Sequence, residues 1–365
     1  MIKKLYLKNF RIFREKTVTF SPGVNVILGK NGVGKTSILE AIYFLTFTKS
    51  FKAPRDVDMI KEGENHFQIR ANWENSLYQD IQGNFLKGKG KRFIFDEEIM
   101  KRLADIIGAF PIVFQSPEDY RVTSGSSSER RTYFDRFISQ ISKNYLSDLI
   151  HYRRLLKIRN AYLKELNEKR LLRYDAQIEI YDEQLAPIIY RITTKRKIYT
   201  DKFNQHLKEL YKSMMNNESI GKIEYIPSIE GNDENSFKAN YMKKNNENIE
   251  KEIILKRSIQ GSNYDKFNFY RNGRPLIHFA SQGEHKIWMT MLKLAEGEII
   301  KSASGKDAIF LLDDLFAELD INNSQKIINK ILNKNQVLIT TTDLSDLRHH
   351  GMSEEKSINI IEITQ

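Results

Sequence analysis

Residues 24–44, VNVILGKNGVGKTSILEAIYF, decide the fold. VNVIL is a continuous apolar run of the kind that forms a strand buried on both faces. A glycine-rich turn follows, and then an apolar-periodic segment that reads as a helix. Gly29, Gly34, Lys35 and Thr36 satisfy G-x-x-x-x-G-K-[ST] without a mismatch, with Lys30, Asn31, Gly32 and Val33 completing the loop. The spacing has a chemical reason. Glycines let backbone N–H groups wrap phosphate oxygens, the lysine reaches the β and γ oxygens, and the threonine hydroxyl holds Mg²⁺. Because a strand precedes the loop and a helix follows it, phosphate falls at a helix N-terminus. The expectation is an α/β protein that binds ATP.

The partner of this loop lies at the far end of the chain. AIFLLDD, residues 308–314, is again a run suited to a strand inside a parallel sheet. It ends in Asp313, a carboxylate placed to serve Mg²⁺ directly or through a bridging group. Asp314 beside it is placed to orient or deprotonate the attacking water. Such a pair also caps helices, but here it shares a chain with the phosphate loop. Loop and acidic strand must meet in one sheet, so the residues between them leave the nucleotide core and return.

Those intervening residues support the detour. HFQIRANW, LYQDIQGNF and KRFIFDEE alternate as antiparallel strands, with KGKGK as a basic loop. Asp96 is expected to cap a helix through Ile99, Leu103 and Ile107, stopped by Gly108. Ser126 and Glu129 stand at capping-box spacing. From Tyr145 to about Ser213 the texture is helical, with a stripe through Ile178, Leu185, Ile192, Tyr199, Phe203 and Leu207 and a kink or break at Pro187. GNDENSF and KKNNENIEKE read as exposed polar segments. Asn272-Gly273 is a hairpin turn between alternating runs. Further elements are expected as a helix near 323–332, a strand at QVLITTTD and a last strand at SINIIEI. The division expected is 1–140 and 256–365 for the two parts of the head, with a helical arm at 141–255.

The chain carries a formal charge of +11 and a pI near 9.4, which favours polyanionic partners through counterion release. It has no cysteine, which excludes disulfides, thiolate catalysis and cysteine-built metal sites. No apolar run reaches the length of a membrane span, and the N-terminus lacks a signal-peptide pattern, so a cytoplasmic protein is expected.

FASQGEHKIWMTMLKLAEGEII adds a second anion-seeking helix start at Ser281 and Gly283. Plain N-capping by Ser281 is the alternative. With one face of the triphosphate already served, this start makes most sense against the γ-phosphate of another subunit.

GKNGVGKT, ASQGE, LLDD and AELD together resemble the ABC-type heads of Rad50 and SMC proteins. YLKNFRIF, SPEDYRVTSGSSSERRTYFDRF, RRLLKIRNAYLKEL and FASQGEHK…LKLAEGE resemble, in order, the blocks of the bacterial RecF family. The resemblance covers nearly the whole chain and is weakest at about 215–255. It implies a P-loop ABC-type ATPase head built from both chain ends, with an antiparallel β patch and an inserted α-helical arm. It also implies a dimer that sandwiches two ATP, each site pairing residues 29–36 and Asp313 of one copy with Ser281 and Gly283 of the other. The family's implied role is to bind DNA when ATP-bound and, with RecR and RecO, to help load RecA at gaps and stalled forks. Gln115, after the apolar PIVF, stands where ABC heads sense Mg²⁺ and water; a surface glutamine at a strand end is the alternative. Arg11 is placed to contact nucleotide, or is a solvated strand residue.

Some positions depart from the pattern. Glu284 replaces the usual signature Gln and is expected to point away from phosphate. Asp314 stands where many heads carry Glu, Thr342 near the place of the switch His, and Ser262-Asn263 where the family reads Pro-His. These favour a slow ATP switch. Candidate DNA contacts are Lys87, Lys89, Lys91, Arg92, Arg153, Arg154, Lys157 and Arg159, with Lys195, Arg196 and Lys197 behind them; a solvated charged face is the alternative for each. The rival readings are a transporter ATPase subunit and an SMC-like tether. The first fits poorly with the arm and the basic pI, the second with so few heptads.

Overall fold

The structure is a computed structural model of the chain that describes residues 1–214, 220–314, 336–345 and 358–364. The chain divides into two compact units. One comprises Met1–Tyr120, Leu210–Asn216 and Ala280–Gln365, and the other Arg121–Glu209 and Asn217–Phe279. Both chain ends therefore build the head. The second unit contains the 141–255 segment apart from Leu210–Asn216, together with a capped helix before it and a hairpin after it.

In the head, β1 (Ile2–Phe10), β2 (Phe13–Thr19), β4 (His66–Trp73), β5 (Asp80–Leu86), β6 (Gly90–Phe95) and β7 (Glu98–Ile99) form an antiparallel sheet in the order β2-β1-β4-β5-β6-β7. The second sheet runs β14-β3-β13-β12-β8. It is made of β3 (Val24–Leu28), β8 (Ile112–Gln115), β12 (Ile309–Leu312), β13 (Val337–Thr341) and β14 (Ile358–Glu362), all parallel. VNVIL and IFLL thus lie in one sheet with β13 between them. The helix α1 (Lys35–Phe47) packs against strands of both sheets, and every position from Ile38 to Phe47 is buried, as a helix apolar on all sides requires. Gln336 joins the sheets by accepting from the Ile2 N–H at 2.8 Å and donating to the Ile2 and Ser21 carbonyls.

Asp96 does not begin a helix. Asp96 and Glu97 have φ of 45° and 73° and turn β6 into β7, and the Asp96 carboxylate accepts from the backbone N–H groups of Gln79 and Asp80. Short polar side chains tolerate this left-handed backbone, so the turn wins over the cap.

In the second unit, α2 (Arg121–Ser124) leads to α3 (Ser127–Ile141), which starts at the expected Ser126–Glu129 capping box. Next come α4 (Lys143–Glu168) and α5 (Ala176–Met214), which continues through Pro187 rather than breaking there. The predicted stripe is buried at Ile178, Leu185, Ile192, Tyr199, Phe203 and Leu207. After β9 (Gly221–Ile226), the two polar segments are largely exposed as expected and lie on a helix not anticipated there, α6 (Glu234–Leu255), capped by Asp233 and Ser236. Its inward face is Phe237, Tyr241, Ile249 and Ile253, four apolar positions diluted among polar ones. β10 (Lys266–Arg271) turns through Asn272-Gly273 into β11 (Arg274–Pro275) and pairs with β9, and a short α7 (Leu276–Phe279) follows. Back in the head, α8 (Gln282–Ser304) precedes β12. AELD and the helix expected near 323–332 lie outside the described residues.

Candidate functional site

The phosphate loop leaves β3 at the C-terminal edge of the parallel sheet, where ligands of such sheets bind. Two of its glycines have stated reasons. A side chain at Gly29 would meet the Ile363 carbonyl at 2.7 Å, and Gly34 caps α1 with φ +96°, packed under Phe13 and Ile12. The Lys35 ammonium bends back over the loop and donates to the carbonyls of Gly29 at 2.7 Å and Lys30 at 3.1 Å. Burial lowers its pKa, against the pull of Asp314 and Asp313.

Thr36, first turn of α1, donates through Oγ1 to Asp313 Oδ1 at 3.0 Å. The chain ends meet at this bond. A residue missed from the sequence completes it: Thr340, on β13 between the two strands, donates to the same Asp313 oxygen at 2.8 Å and accepts from the Asp314 N–H at 2.9 Å. The only sequence signal was the threonine run closing a buried strand. Asp313 lies largely out of solvent; burial raises its pKa, the Thr340 and Thr36 bonds lower it, and Asp314 raises it further.

These groups open on a cleft of about 590 Å³ whose lining includes Asn31, Gly32, Gly34, Lys35, Thr36, Asp313 and Asp314. Arg11, with φ 54°, reaches its rim and is held there rather than solvated. Its guanidinium makes a two-pronged ion pair with the buried Glu40 at 2.6 and 2.7 Å and donates to the Asp58 carbonyl at 2.8 Å. Glu40, also held by the Ser50 hydroxyl, was a second residue that sequence reading missed. The oxygen donors Thr36 and Asp313, with Asp314 adjacent, are a hard set of the kind that suits Mg²⁺.

Six predicted residues stand outside the cleft lining: Gly29, Lys30 and Val33 within the loop itself, and Gln115, Ser281 and Gly283 away from it. Gln115 ends β8 beside Leu312, and its amide donates to Thr290 at 3.3 Å on α8. Ser281 and Gly283 are exposed at the start of α8, where Ser281 forms a capping box with Glu284. Glu284 accepts from the Ser281 N–H at 2.7 Å, so its carboxylate is folded back onto the cap.

Two of the candidate DNA contacts are buried. Arg159 is enclosed with Asp182 at 2.6 Å and Glu252 at 2.7 Å, the latter an ionic contact rather than an aligned hydrogen bond. Arg196 is enclosed with Asp135 at 2.8 Å and Asp265 at 2.7 Å. Helical spacing alone cannot separate a solvated arginine from one whose carboxylates arrive from distant sequence. Lys91 is also occupied, pairing with Asp56 at 2.9 Å and donating to the Thr48 carbonyl. Lys87, Lys89, Arg92, Arg153, Arg154, Lys157 and Lys197 are exposed.

A phosphate loop at the edge of a parallel sheet, joined there by an acidic strand from the other chain end, defines the nucleotide-binding head of an ABC-type ATPase. The family described as AAA ATPase domain matches residues 1–365. The chain is 31% identical over 361 residues to the DNA replication and repair protein RecF of Clostridium perfringens, covering 99% of this chain and 98% of that one. It is also similar to a solved structure of the recombination mediator protein RecF-ATPrS in the RecFOR pathway, with TM-score 0.87, 30% identity, and 95% and 93% of the two chains covered. An Smc head bound to the C-winged helix domain of ScpA shares the fold, with TM-score 0.54 and 16% identity over 95% of this chain and 91% of that one. The chain belongs to the RecF family.

Proposed function

We propose that this chain is an ATP-switched DNA-binding protein of recombinational repair, which closes into a dimer on ATP and reopens after slow hydrolysis. The observation that carries this reading is the Thr36–Asp313 hydrogen bond, made across 277 positions of sequence on the floor of a cleft under a complete phosphate loop. Backbone N–H groups of residues 29–36 would hold the phosphates, and Lys35 would trade its loop carbonyls for β and γ oxygens. Thr36 and Asp313 would hold Mg²⁺, with Gln115 reaching it if its amide turned from Thr290; the ion would screen phosphate charge during transfer. Asp314, fixed at its backbone by Thr340, would orient the attacking water. Arg11, already aimed into the cleft by Glu40, would contact the nucleotide.

Ser281 and Gly283 line no part of their own chain's cleft and face solvent. That favours a role on the γ-phosphate of a second copy. The +11 charge and the exposed lysines and arginines favour contact with a DNA backbone, with affinity falling steeply in salt. Family membership, with a relative described in the RecFOR pathway, supports action with RecR and RecO ahead of RecA. Among the described residues no helix is long and apolar enough to cross a membrane.

The test is the mass of the protein in solution without nucleotide, with ADP and with a non-hydrolysable ATP analogue, each with and without duplex DNA. The expected result is a dimer only with the analogue, accompanied by tighter DNA binding. A monomer under all conditions would sink the sandwich.

A further inference from the structure

Among the described residues the second unit buries three arginines, and only two have a carboxylate within ion-pair distance. The third, Arg130, lies over the Phe269 ring at 5.4 Å and feels Glu129 only at longer range. Arg159 and Arg196 each meet two carboxylates. Arg130, on α3, is 5% exposed, yet its bonds go to neutral carbonyls: Phe267 and Gly125, each at 3.0 Å. Its Nε–H is buried without a hydrogen-bond partner. The adjacent Glu129 is spent on the Ser126 cap. A buried guanidinium without a counter-charge is costly, which is why such groups are normally paired.

Arg130 also lines a cavity of about 190 Å³, closed on other sides by Thr123, Phe269, Pro275, Ile277 and His278. Asn268 and Tyr270 complete the lining. Ile277 in the wall is 44% exposed, and Phe279, two residues further along α7 and outside the lining, is 64% exposed with the Arg274 guanidinium over its ring. A small cavity with a cation in its wall and apolar side chains at its mouth suits a carboxylate carried between apolar residues. A duplex backbone, bulky and hydrated, fits it poorly.

We propose that the Arg130 cavity is a docking pocket for a partner protein, taking the carboxylate of an aspartate or glutamate flanked by apolar residues. The carboxylate accepts from Arg130, and the flanking side chains cover Ile277 and Phe279. This assignment is independent of the nucleotide site.

The test uses the full chain labelled with ¹⁵N at arginine Nε, with the Arg130 signal identified by its loss in Arg130→Lys. It is titrated with Ac-Leu-Asp-Phe-amide, Ac-Leu-Asn-Phe-amide and inorganic phosphate. The expected result is a shift of the Arg130 Nε–H with the aspartyl peptide, at least about tenfold weaker with the asparaginyl one. A response to phosphate but not to the peptide would overturn the protein partner in favour of a phosphate-bearing ligand. No response to any probe would overturn the pocket altogether. Asn268→Asp, which adds a carboxylate to the cavity wall, gives a second readout that does not depend on Arg130→Lys folding. It should raise the Tm and abolish the peptide shift, whereas an unchanged or lowered Tm would mean that Arg130 needs no counter-charge.

Discussion

The Arg159 and Arg196 clusters of the helical unit and the phosphate site of the head treat charge in opposite ways. In the helical unit, Arg159 and Arg196 are locked among four carboxylates, with Tyr174 adding a bond to Asp182 at 3.1 Å and Tyr145 one to Asp135 at 2.6 Å. In the nucleotide cleft, Lys35 rests on carbonyls and Asp313 on two hydroxyls, while Asp313 and Asp314 stand side by side with like charge. Matched charges tie helices together. Unmatched ones hold a site ready for a ligand, at some cost to the free protein.

The sharpest way to break this contrast is to remove one charge from each side. Arg159→Met leaves Asp182 and Glu252 buried without their cation, and should cost about 3–5 kcal/mol of stability by urea unfolding, as broken buried ion pairs do. Lys35→Ala should behave in reverse. ATP hydrolysis is expected to fall by about 10²-fold or more, the scale for losing a group that stabilises transferring phosphate. Its stability should fall by about 1–2 kcal/mol, the scale of two bonds to loop carbonyls and well short of Arg159→Met. If Lys35→Ala unfolds as readily as Arg159→Met, the division of labour is wrong.

Asp313 sharpens the comparison through pH. Its folded-state pKa is raised, chiefly by burial, so protonation favours the folded form. The stabilising contribution is therefore full below the unfolded pKa and is lost as pH rises through the folded one. At neutral pH the ionised carboxylate weighs on the nucleotide-free protein. Asp313→Asn should raise its Tm at pH 7, with the gain shrinking as the buffer is taken into the acid range, while hydrolysis is lost. A Tm drop at pH 7 would show that the carboxylate is needed for folding rather than held for a ligand.

These contrasts also explain what the sequence could and could not reveal. The phosphate loop, the acidic strand and the Ser126 and Ser281 caps are written in residues that are contiguous or three apart, so local rules reach them. Arg159 and Glu252 are far apart in sequence, and nothing near Arg159 marks it as buried. The helix α6 escaped notice because its inward face interrupts a polar run without dominating it. Thr340 was invisible as a site residue until β13 was placed between β3 and β12. Asp96 was misread because a short polar residue serves a cap and a left-handed turn equally well.

The smallest expected effect separates cap from signature at α8. Glu284→Ala removes one arm of the capping box and should cost about 0.5–1 kcal/mol, with the ATP-dependent dimer intact, because the carboxylate is turned onto the Ser281 N–H and not outward. Ser281→Arg loses the same cap's hydroxyl but also sets a long cation at the exposed helix start. If that start meets a γ-phosphate across a dimer, Ser281→Arg should keep nucleotide binding to its own cleft while blocking closure, as seen by mass with the ATP analogue. The two variants differ little in stability, so a difference in dimerisation between them reports the surface and not the fold. If Ser281→Arg dimerises as Glu284→Ala does, Ser281 is only a cap, and the missing half of the site must be sought elsewhere.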